Sequence, residues 1–326
     1  MQLVERSGLS QRRSLEVIEL ISSRYYRWRS KYPDLEDKKP VAQRILHKLL
    51  PEEKEKVIAY ALAFPELRHR KLAYHLEREE KVFVSPSSCY RILKLEGLVC
   101  AWEPKLITRK ECAFKTIRPN QQWQIDICYI PVADYFMYLI LILDDYSRYI
   151  VYFELCWSMS QADVRRVVDF ALLKAGLIEA EEKPELLSDN GPQLLAISFR
   201  QYLKKLGITH LRAGYRHPEG KGKIERVFRT IKYEEVFPAA YQSSFEAEQG
   251  IKSFIDYYNH ERLHQGIDYV TPYERYTGKD QEILNQRKER RKKAEEKRKS
   301  INSRMDPSGQ LKLTELCERS QTLTPS

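Results

Sequence analysis

The most hydrophobic stretch of the chain lies near its middle and predicts buried β-strands. It is FMYLILIL at residues 136–143, and its eight residues fall well short of the roughly 20 that a membrane-spanning helix needs. Residues 135–155 therefore predict two long strands around an Asp-Asp-Tyr-Ser turn. Residues 122–132, QWQIDICYIPV, predict a further strand in which small polar residues interrupt the apolar pattern.

Helical and strand patterns alternate after these three strands. An apolar stripe at Val164, Val167 and Val168 predicts a helix that ends on Gly176. Three strands followed by alternating helices and strands predict one mixed α/β sheet with helices packed on its faces. The later segments are read as strand, helix, strand and helix, in the order PELLSDNG (184–191), SFRQYLKKLG (198–207), ITHLRAG (208–214) and HPEGKGKIERVFRTIK (217–232).

The N-terminal third has the periodicity of short helices. Residues 10–33 begin with a cap at Ser10 and carry Leu15, Ile18 and Ile21 at helical spacing. Residues 51–99 repeat the pattern as three short helices, and Ser85 caps the last of them. Because that last helix is basic and polar, the set favours a helix-turn-helix unit, whose final helix enters the major groove of DNA. A plain helical bundle is the alternative.

The changes of pattern divide the chain into five parts. Residues 1–40 form a helix-turn-helix-like segment, 41–103 a second helix-turn-helix-like DNA-binding domain, and 104–118 a basic linker. Residues 119–275 form the α/β core, and 276–326 a basic C-terminal tail. In the tail, residues 286–304 hold ten basic and three acidic residues and few apolar ones. We expect a solvated helix or a disordered arm that touches phosphates, with a purely solubilising tail as the alternative.

Composition narrows the class of protein. Of 326 residues, 42% are hydrophobic and 31% are charged, which is typical of a soluble globular chain. The net charge of +10 favours a nucleic-acid partner over an acidic small substrate. The first residues lack the apolar segment of a signal peptide, so we expect a cytoplasmic protein, or a nuclear one in a eukaryote. The six cysteines form no CxxC pair, which argues against a zinc finger or a disulfide framework.

Three acidic residues stand at or near the ends of predicted elements. Asp126 lies inside QIDICYI, an apolar setting in which an unpaired carboxylate is costly. Asp189 is followed by Asn-Gly, a turn that holds it at the end of a strand, and Glu225 opens a strongly basic helix. Carboxylates at strand ends of an α/β sheet converge near one edge, where such folds place their sites. Each residue alone has a plainer reading as a surface acid or a helix cap.

These segments together resemble a known family. The motifs WQIDICYI, LILDDYSRYIVYFEL, LLSDNGPQL, HPEGKGKIERVFRTIKYE and FIDYYNHERLHQGIDYVTPYERY are similar to the catalytic core of insertion-sequence transposases of the Asp-Asp-Glu superfamily, which is retroviral-integrase-like. Between Asp189 and Glu225 lie 35 residues, the spacing that names the subgroup. The resemblance covers roughly half of the chain, from about residue 119 to 275.

The resemblance implies a ribonuclease-H-like core in which the three carboxylates bind two Mg²⁺ ions, with Mn²⁺ as a substitute. By position, Asp126 would bridge the metals, Asp189 would bind one and Glu225 the other. Hard cations of this kind prefer carboxylate oxygens. It also implies double-stranded DNA as partner, both element ends and target, and a homo-oligomer on DNA. A helper protein is an open question, and no membrane is involved.

Basic residues around Glu225 are candidates for DNA contacts. As a group, Lys221, Lys223, Arg226 and Arg229 are expected to contact phosphates. Lys232 lies two helical turns beyond Glu225, and related transposases often carry a basic residue there that touches the terminal DNA. A solvated surface lysine is the alternative for Lys232.

Three further polar residues lie close to the proposed ligands in sequence. His217 would either hydrogen-bond near the metals or pack in a loop. Asn190 would orient a carboxylate or a water molecule. Asp145, in DDYSR, is predicted to have a structural role in its turn rather than to bind metal.

The leading hypothesis for function is an active DNA transposase. It would bind inverted-repeat ends, cleave phosphodiester bonds and join 3′-hydroxyl ends to target DNA by two-metal in-line transesterification. The alternatives are a catalytically inactive DNA-binding regulator and a hydrolytic metal-dependent nuclease. Retroviral integrases carry a zinc-binding domain before the core. This chain has no CxxC pair to supply one, and its N-terminal helices resemble helix-turn-helix domains instead.

Overall fold

The structure, a computed structural model, describes residues 4, 6–31, 47–99, 116–189, 191–212 and 222–304. The chain divides into two compact units, one made of residues 1–48 and 299–326 and the other of Leu49–Arg298. In the part of the chain that the structure describes, no helix has the length and apolar character to cross a membrane.

The smaller unit contains helices α1 (Gln11–Val17) and α2 (Ser22–Lys31). As predicted, Ser10 caps α1, because its hydroxyl accepts a hydrogen bond from the Arg13 N–H. Leu15, Ile18 and Ile21 stand at helical spacing in the sequence, but they do not lie on one helix. The helix ends at Val17, and Ile18 and Ile21 are exposed, whereas Leu15 packs into a small core. The chain leaves the helix because Glu19 has a φ of 52°, in the left-handed region.

The larger unit begins with three helices that share one hydrophobic core. They are α3 (Pro51–Ala63), α4 (His69–Arg78) and α5 (Pro86–Leu95). The Ser85 hydroxyl accepts a hydrogen bond from the Ser88 N–H and so caps α5, as predicted. The all-α character of the N-terminal part is confirmed, whereas a helix-turn-helix role stays a prediction. The shared core includes Val57, Tyr60, Leu72, Leu76, Val82, Cys89 and Ile92.

A five-stranded mixed sheet follows, in the spatial order β3-β2-β1-β4-β5. Its strands are β1 (Gln122–Val132), β2 (Tyr135–Asp144), β3 (Ile150–Cys156), β4 (Glu185–Ser188) and β5 (His210–Arg212). Strands β1, β2 and β3 pair antiparallel, while β4 pairs parallel with both β1 and β5. The predicted mixed sheet flanked by helices is therefore confirmed.

Helices cover both faces of this sheet. Because side chains alternate along β1, Trp123 and Ile125 face the helices of residues 161–174 and 197–205, whereas Cys128 and Ile130 face those of residues 222–231 and 244–260. Each face carries a separate hydrophobic cluster, so β1 is buried on both sides. The remaining helices are α6 (Gln161–Lys174), α7 (Pro192–Leu195), α8 (Ile197–Lys205), α9 (Gly222–Ile231), α10 (Phe237–Ala239), α11 (Ser244–His260), α12 (Pro272–Tyr276) and α13 (Asp280–Arg304), with a π-helical turn (Lys232–Val236) between α9 and α10.

The basic tail is helical as far as the structure describes it, through Arg304 in α13. The expectation of a solvated segment was wrong for one face of this helix. Arg298 is only 6% exposed, and its Nε donates to Glu53 of α3 at 2.9 Å. Arg291 donates in the same way to the buried Glu77 of α4 at 2.7 Å. These arginines pair with acidic residues of the helical part, which the tail sequence alone does not reveal.

Candidate active site

The sheet register brings Asp126 and Asp189 next to each other. Strands β1 and β4 run parallel, and their last pair is Gln124 with Leu187. Asp126 and Asp189 each stand two residues beyond that pair, so they occupy adjacent positions where β4 ends. Neighbouring strands lie about 4.8 Å apart, which is close enough for two carboxylates to share a cation. Both side chains are half-buried.

Local geometry holds each aspartate. The Asp126 Oδ1 accepts a hydrogen bond from the Ile127 N–H at 3.0 Å. The Asp189 Oδ1 accepts one from the Gly191 N–H at 3.0 Å, which closes the turn that the sequence predicts. A Cβ at position 191 would stand 3.1 Å from that same oxygen, so glycine lets the backbone approach the carboxylate. Asn190 lies outside the described residues.

Glu225 lies on the first turn of α9, over the same face of the sheet. Along β1, Asp126 shares the face of Cys128, which packs with Ile224 and Val227 of α9. Helix α9 buries its apolar stripe against this face, while Glu225 is exposed. The predicted helix begins at Gly222, and His217 and Lys221 lie outside the described residues.

The three carboxylates supply the hard oxygen donors that Mg²⁺ prefers. They are not a preassembled cluster, since among the described side chains no three His, Cys, Asp or Glu groups are arranged to hold a metal ion. Glu225 is exposed at a helix end, and its long side chain has several rotamers. The chemistry of the three carboxylates and their placement on one face therefore fit a divalent cation. Their side chains must rearrange before all three can bind it together.

A buried carboxylate that is not part of the triad ties the start of α9 to β1. The Asp145 Oδ1 accepts a hydrogen bond from the Gln124 Nε2 at 2.6 Å, and Gln124 Oε1 accepts one from the Ile224 N–H at 3.1 Å. The amide of Gln124 thus satisfies one of the N–H groups that the first turn of a helix leaves without a partner. The Asp145 Oδ2 also accepts a bond from Thr116 Oγ1 at 2.7 Å.

Lys223 completes this network. Its ammonium donates to the Asp145 carboxylate and, at 3.2 Å, to the Asp145 carbonyl oxygen. Gln124 precedes Asp126 by two residues, and Lys223 precedes Glu225 by two. The network therefore joins the two elements that carry proposed ligands. These contacts agree with the structural role predicted for Asp145. Lys223 donates to Asp145 in this structure, and its predicted contact with phosphate stays a prediction.

Lys232 approaches the same face of β1. Its ammonium lies within hydrogen-bonding reach of the Cys128 thiol, two residues beyond Asp126. Burial raises the pKa of that thiol above its ordinary value, the Lys232 charge opposes the rise and the Asp126 charge adds to it. Lys232 is half-buried, and its contact with terminal DNA stays a prediction.

The basic residues nearest Glu225 in sequence face the solvent. Arg226 and Arg229 are exposed on α9. Within the described part of the chain, neither guanidinium forms a hydrogen bond or an ion pair. They are therefore available to bind an anion.

The sequence interpretation missed Gln124 and Thr116, which hold Asp145. One signal was present, because Gln124 is a polar residue in a strand that reads as buried, and it is 0% exposed. A buried amide needs hydrogen-bond partners, so its position pointed to a polar network. The identity of those partners depends on the tertiary fold.

Comparison with known proteins agrees with this architecture. A family model described as an integrase core domain matches residues 117–218, which include Asp126 and Asp189. A second model of the same description matches residues 206–272, which include Glu225.

Relatives were found among transposases, and a similar solved structure among viral integrases. The transposase for insertion sequence element IS904 of Lactococcus lactis is 32% identical over 178 residues, covering 53% of this chain and 67% of that protein. The putative transposase InsK for IS150 of Escherichia coli K12 is 26% identical over 184 residues, or 56% of this chain and 63% of that one. A solved HTLV-2 integrase catalytic core in complex with magnesium has 18% identity and a TM-score of 0.39, covering 50% of this chain and 99% of that one.

The chain therefore belongs to the insertion-sequence transposases with an integrase core, which are polynucleotidyl transferases.

Proposed function

We propose that this transposase binds the inverted-repeat ends of a mobile element, cleaves a phosphodiester bond there and joins the released 3′-hydroxyl to target DNA. The observation that carries the proposal is the parallel register of β1 and β4, which aligns Asp126 with Asp189. Helix α9 packs over the same face and carries Glu225 in its first turn. Three carboxylates from three separate elements thus share one end of the sheet.

The proposed cofactor is a pair of Mg²⁺ ions, for which Mn²⁺ could substitute. Asp126 would be shared by both ions, with Asp189 on one and Glu225 on the other. When bound, such a pair stabilises charge on the attacking and leaving oxygens of an in-line displacement at phosphorus.

The reaction proceeds in two displacements of the same kind. First, a water oxygen forms a bond to phosphorus, loses its proton and displaces the 3′-oxygen, which leaves as a hydroxyl beside a 5′-phosphate. That hydroxyl then attacks a phosphorus atom of target DNA and displaces the target's 3′-oxygen. No bond forms between the protein and DNA, so the side chains act by binding and orientation alone.

The surroundings of Glu225 suit a polyanionic substrate. Arg226 and Arg229 are exposed without partners in the described structure, and we assign them to phosphate contacts beside the scissile bond. Lys232 lies beside Cys128, two residues beyond Asp126, and we assign it to holding DNA near the carboxylates. The N-terminal helices would supply end recognition, and pairing two ends requires at least two copies of the chain on DNA.

One assay separates this proposal from its alternatives. Wild-type protein is incubated with labelled duplexes taken from repeats flanking the gene, a supercoiled target plasmid and Mg²⁺, and the products are resolved on a denaturing gel. Joined products support a transposase. Cut but unjoined DNA would instead indicate a nuclease, and bound but uncut DNA would indicate a regulator. A parallel reaction with Ca²⁺ and a chelator control separates binding from chemistry.

A further inference from the structure

A basic pocket lies on the edge of the sheet, on the face opposite the carboxylates. The cavity, about 420 Å³ in volume, opens between helix α8 and strand β5. Its lining includes the permanent cations Arg200, Lys204 and Arg212 and the imidazole of His210, but no carboxylate. We call this the β5 pocket.

The three cations of the β5 pocket have no partners of their own. All three are exposed, and their side chains form no ion pair or hydrogen bond within the described residues. Two arginines elsewhere in the core do form ion pairs, since Arg166 binds Glu154 and Arg262 binds Glu234. Like charges gathered around one cavity repel each other, so an anion that binds there relieves the repulsion.

The pocket is adjacent to the proposed metal site. Arg212 pairs with Ser188 in the parallel register of β4 and β5, and Ser188 directly precedes Asp189. The Ser188 hydroxyl is hydrogen-bonded to His210 Nε2 at 2.8 Å. Because neighbouring strands lie about 4.8 Å apart, Arg212 is one strand away from the end of β4.

The pocket and the carboxylates lie on opposite faces at the same end of the sheet. His210 contacts Phe199 of α8, with ring centroids 5.8 Å apart, so the pocket is on the α8 face. Asp126 lies on the α9 face, and strand alternation gives Asp189 the same direction. A DNA strand that crosses this end of the sheet would therefore meet the carboxylates and then the pocket. Successive phosphates of one strand advance about 3.4 Å along the helix axis, so phosphates a few nucleotides apart along that strand can reach both places.

We propose that the β5 pocket binds a backbone phosphate of the DNA strand flanking the bond processed at Asp126, Asp189 and Glu225. The planar guanidinium groups of Arg200 and Arg212 can each donate two hydrogen bonds to phosphate oxygens, and Lys204 adds a point charge. The inference rests on the proposed function for its substrate, DNA. It gives a role to Arg200, Lys204 and Arg212, which lie outside the basic segment HPEGKGKIERVFRTIK.

The test measures binding without chemistry. The full chain is titrated with a fluorescent duplex in Ca²⁺ at several KCl concentrations, and anisotropy gives the affinity. We compare the wild type with the triple variant Arg200→Ala/Lys204→Ala/Arg212→Ala. A charge-retaining variant, Arg200→Lys/Arg212→Lys, and Lys252→Ala on α11 serve as controls. Lys252 is an exposed lysine distant in sequence from the pocket.

The triple variant is expected to bind at least about tenfold more weakly near 0.1 M KCl. Its plot of log affinity against log salt should be shallower by about 0.9, because one phosphate contact is lost. Lys252→Ala should stay within about twofold of the wild type. Arg200→Lys/Arg212→Lys keeps the charge and should keep the wild-type salt slope, with a smaller loss of affinity than the triple variant. If the triple variant unfolds, Arg212→Ala alone is measured, with an expected slope change of about 0.9.

Unchanged affinity and slope in a folded variant would overturn the β5 pocket proposal. Its failure is distinct from failure of the proposed function. A pocket-dependent affinity without any Mg²⁺-dependent joining by the wild type would sustain the pocket and reject the transposition mechanism. Mg²⁺-dependent joining that is unchanged in the triple variant would sustain the transposition mechanism and reject the pocket.

Discussion

At the residue scale, Asp145 connects the two elements on which the proposed chemistry depends. Its carboxylate is 4% exposed and binds Gln124 on β1 and Lys223 on α9. The ammonium matters because a buried carboxylate without a nearby positive charge is costly. We therefore assign Asp145 and Lys223 as positioning residues for Glu225, which follows Lys223 by two positions.

The ion pair between Asp145 and Lys223 can be tested by a double-mutant cycle. Lys223→Met leaves a buried charge without its partner and is expected to destabilise the fold by about 3 kcal/mol. Adding Asp145→Asn should recover part of that loss, with a coupling energy of about 1 to 3 kcal/mol in urea unfolding. Additive effects would contradict the pairing.

Asp145→Asn also separates positioning from simple stability. If Asp145 sets the place of Glu225, the folded variant should need more Mg²⁺ for half-maximal DNA joining, by several fold. The matched variant Asp134→Asn changes an exposed turn aspartate and should leave the Mg²⁺ requirement unchanged. A loss of stability with an unaltered Mg²⁺ requirement would reduce Asp145 to a purely structural residue.

The sequence predicts single residues well where the chemistry is local. Ser10 and Ser85 cap helices as expected, because a cap depends on residues three positions apart. Lys223 shows the limit of this reasoning. Its partner Asp145 lies 78 residues away in the chain, so only the fold reveals that its charge is engaged.

At the element scale, α13 is the helix whose structure differs most from the expectation drawn from its sequence. Its charge pattern predicts a solvated segment, whereas Arg298 is buried between Glu53 and the Phe83 carbonyl oxygen. Glu53 also accepts a hydrogen bond from the Leu50 N–H at the start of α3. One arginine of the tail thus supports the first turn of the helical part.

Arg298→Ala should therefore destabilise the protein, because Glu53 and the Phe83 carbonyl oxygen each lose a hydrogen-bond donor. We expect a loss of about 2 to 3 kcal/mol in chemical unfolding. The neighbouring Lys297 is exposed, so Lys297→Ala should change stability by less than about 0.5 kcal/mol. Equal effects of the two substitutions would mean that the buried ion pair contributes nothing.

The turn after α11 adds a dependence on pH. Burial, together with Arg148, Arg262 and Arg226, lowers the pKa of His264 to about 3. Its Nδ1 accepts a hydrogen bond from the Gly266 N–H, which requires the neutral ring. Between about pH 6.5 and 3 the unfolded chain holds a proton on this ring that the folded chain does not, so acidification destabilises the fold.

His264→Gln removes the loss of fold stability that proton binding to this ring in the unfolded chain causes on acidification. The free energy of unfolding should then fall less steeply between pH 6.5 and 4.5, by up to about 1.4 kcal/mol per pH unit. Urea unfolding at fixed ionic strength measures the slope. Burial also lowers the pKa values of His69, His75 and His210, so some dependence remains in the variant. An unchanged slope would show that His264 does not carry this effect.

At the scale of the whole molecule, the mixed sheet and its flanking helices follow from the sequence. The strands are long or strongly apolar, and the alternation of strands and helices restricts how they can be connected. The convergence of Asp126 and Asp189 at one edge was expected from their places at strand ends, whereas the grouping of both with Glu225 as metal ligands came only from the resemblance. The β5 pocket could not be expected, because Arg200 and Arg212 meet only when β5 is added beside β4.

The central claim is that Glu225 completes a metal-binding carboxylate set for DNA cleavage and joining. The most direct measurement compares Glu225→Gln with Glu248→Gln, an exposed glutamate on α11, in the joining assay with Mg²⁺. Glu225→Gln should reduce both cleavage and joining at least about a thousandfold while binding to the element ends stays within about threefold. Glu248→Gln should match the wild type. Joining by Glu225→Gln at the wild-type rate would contradict the account.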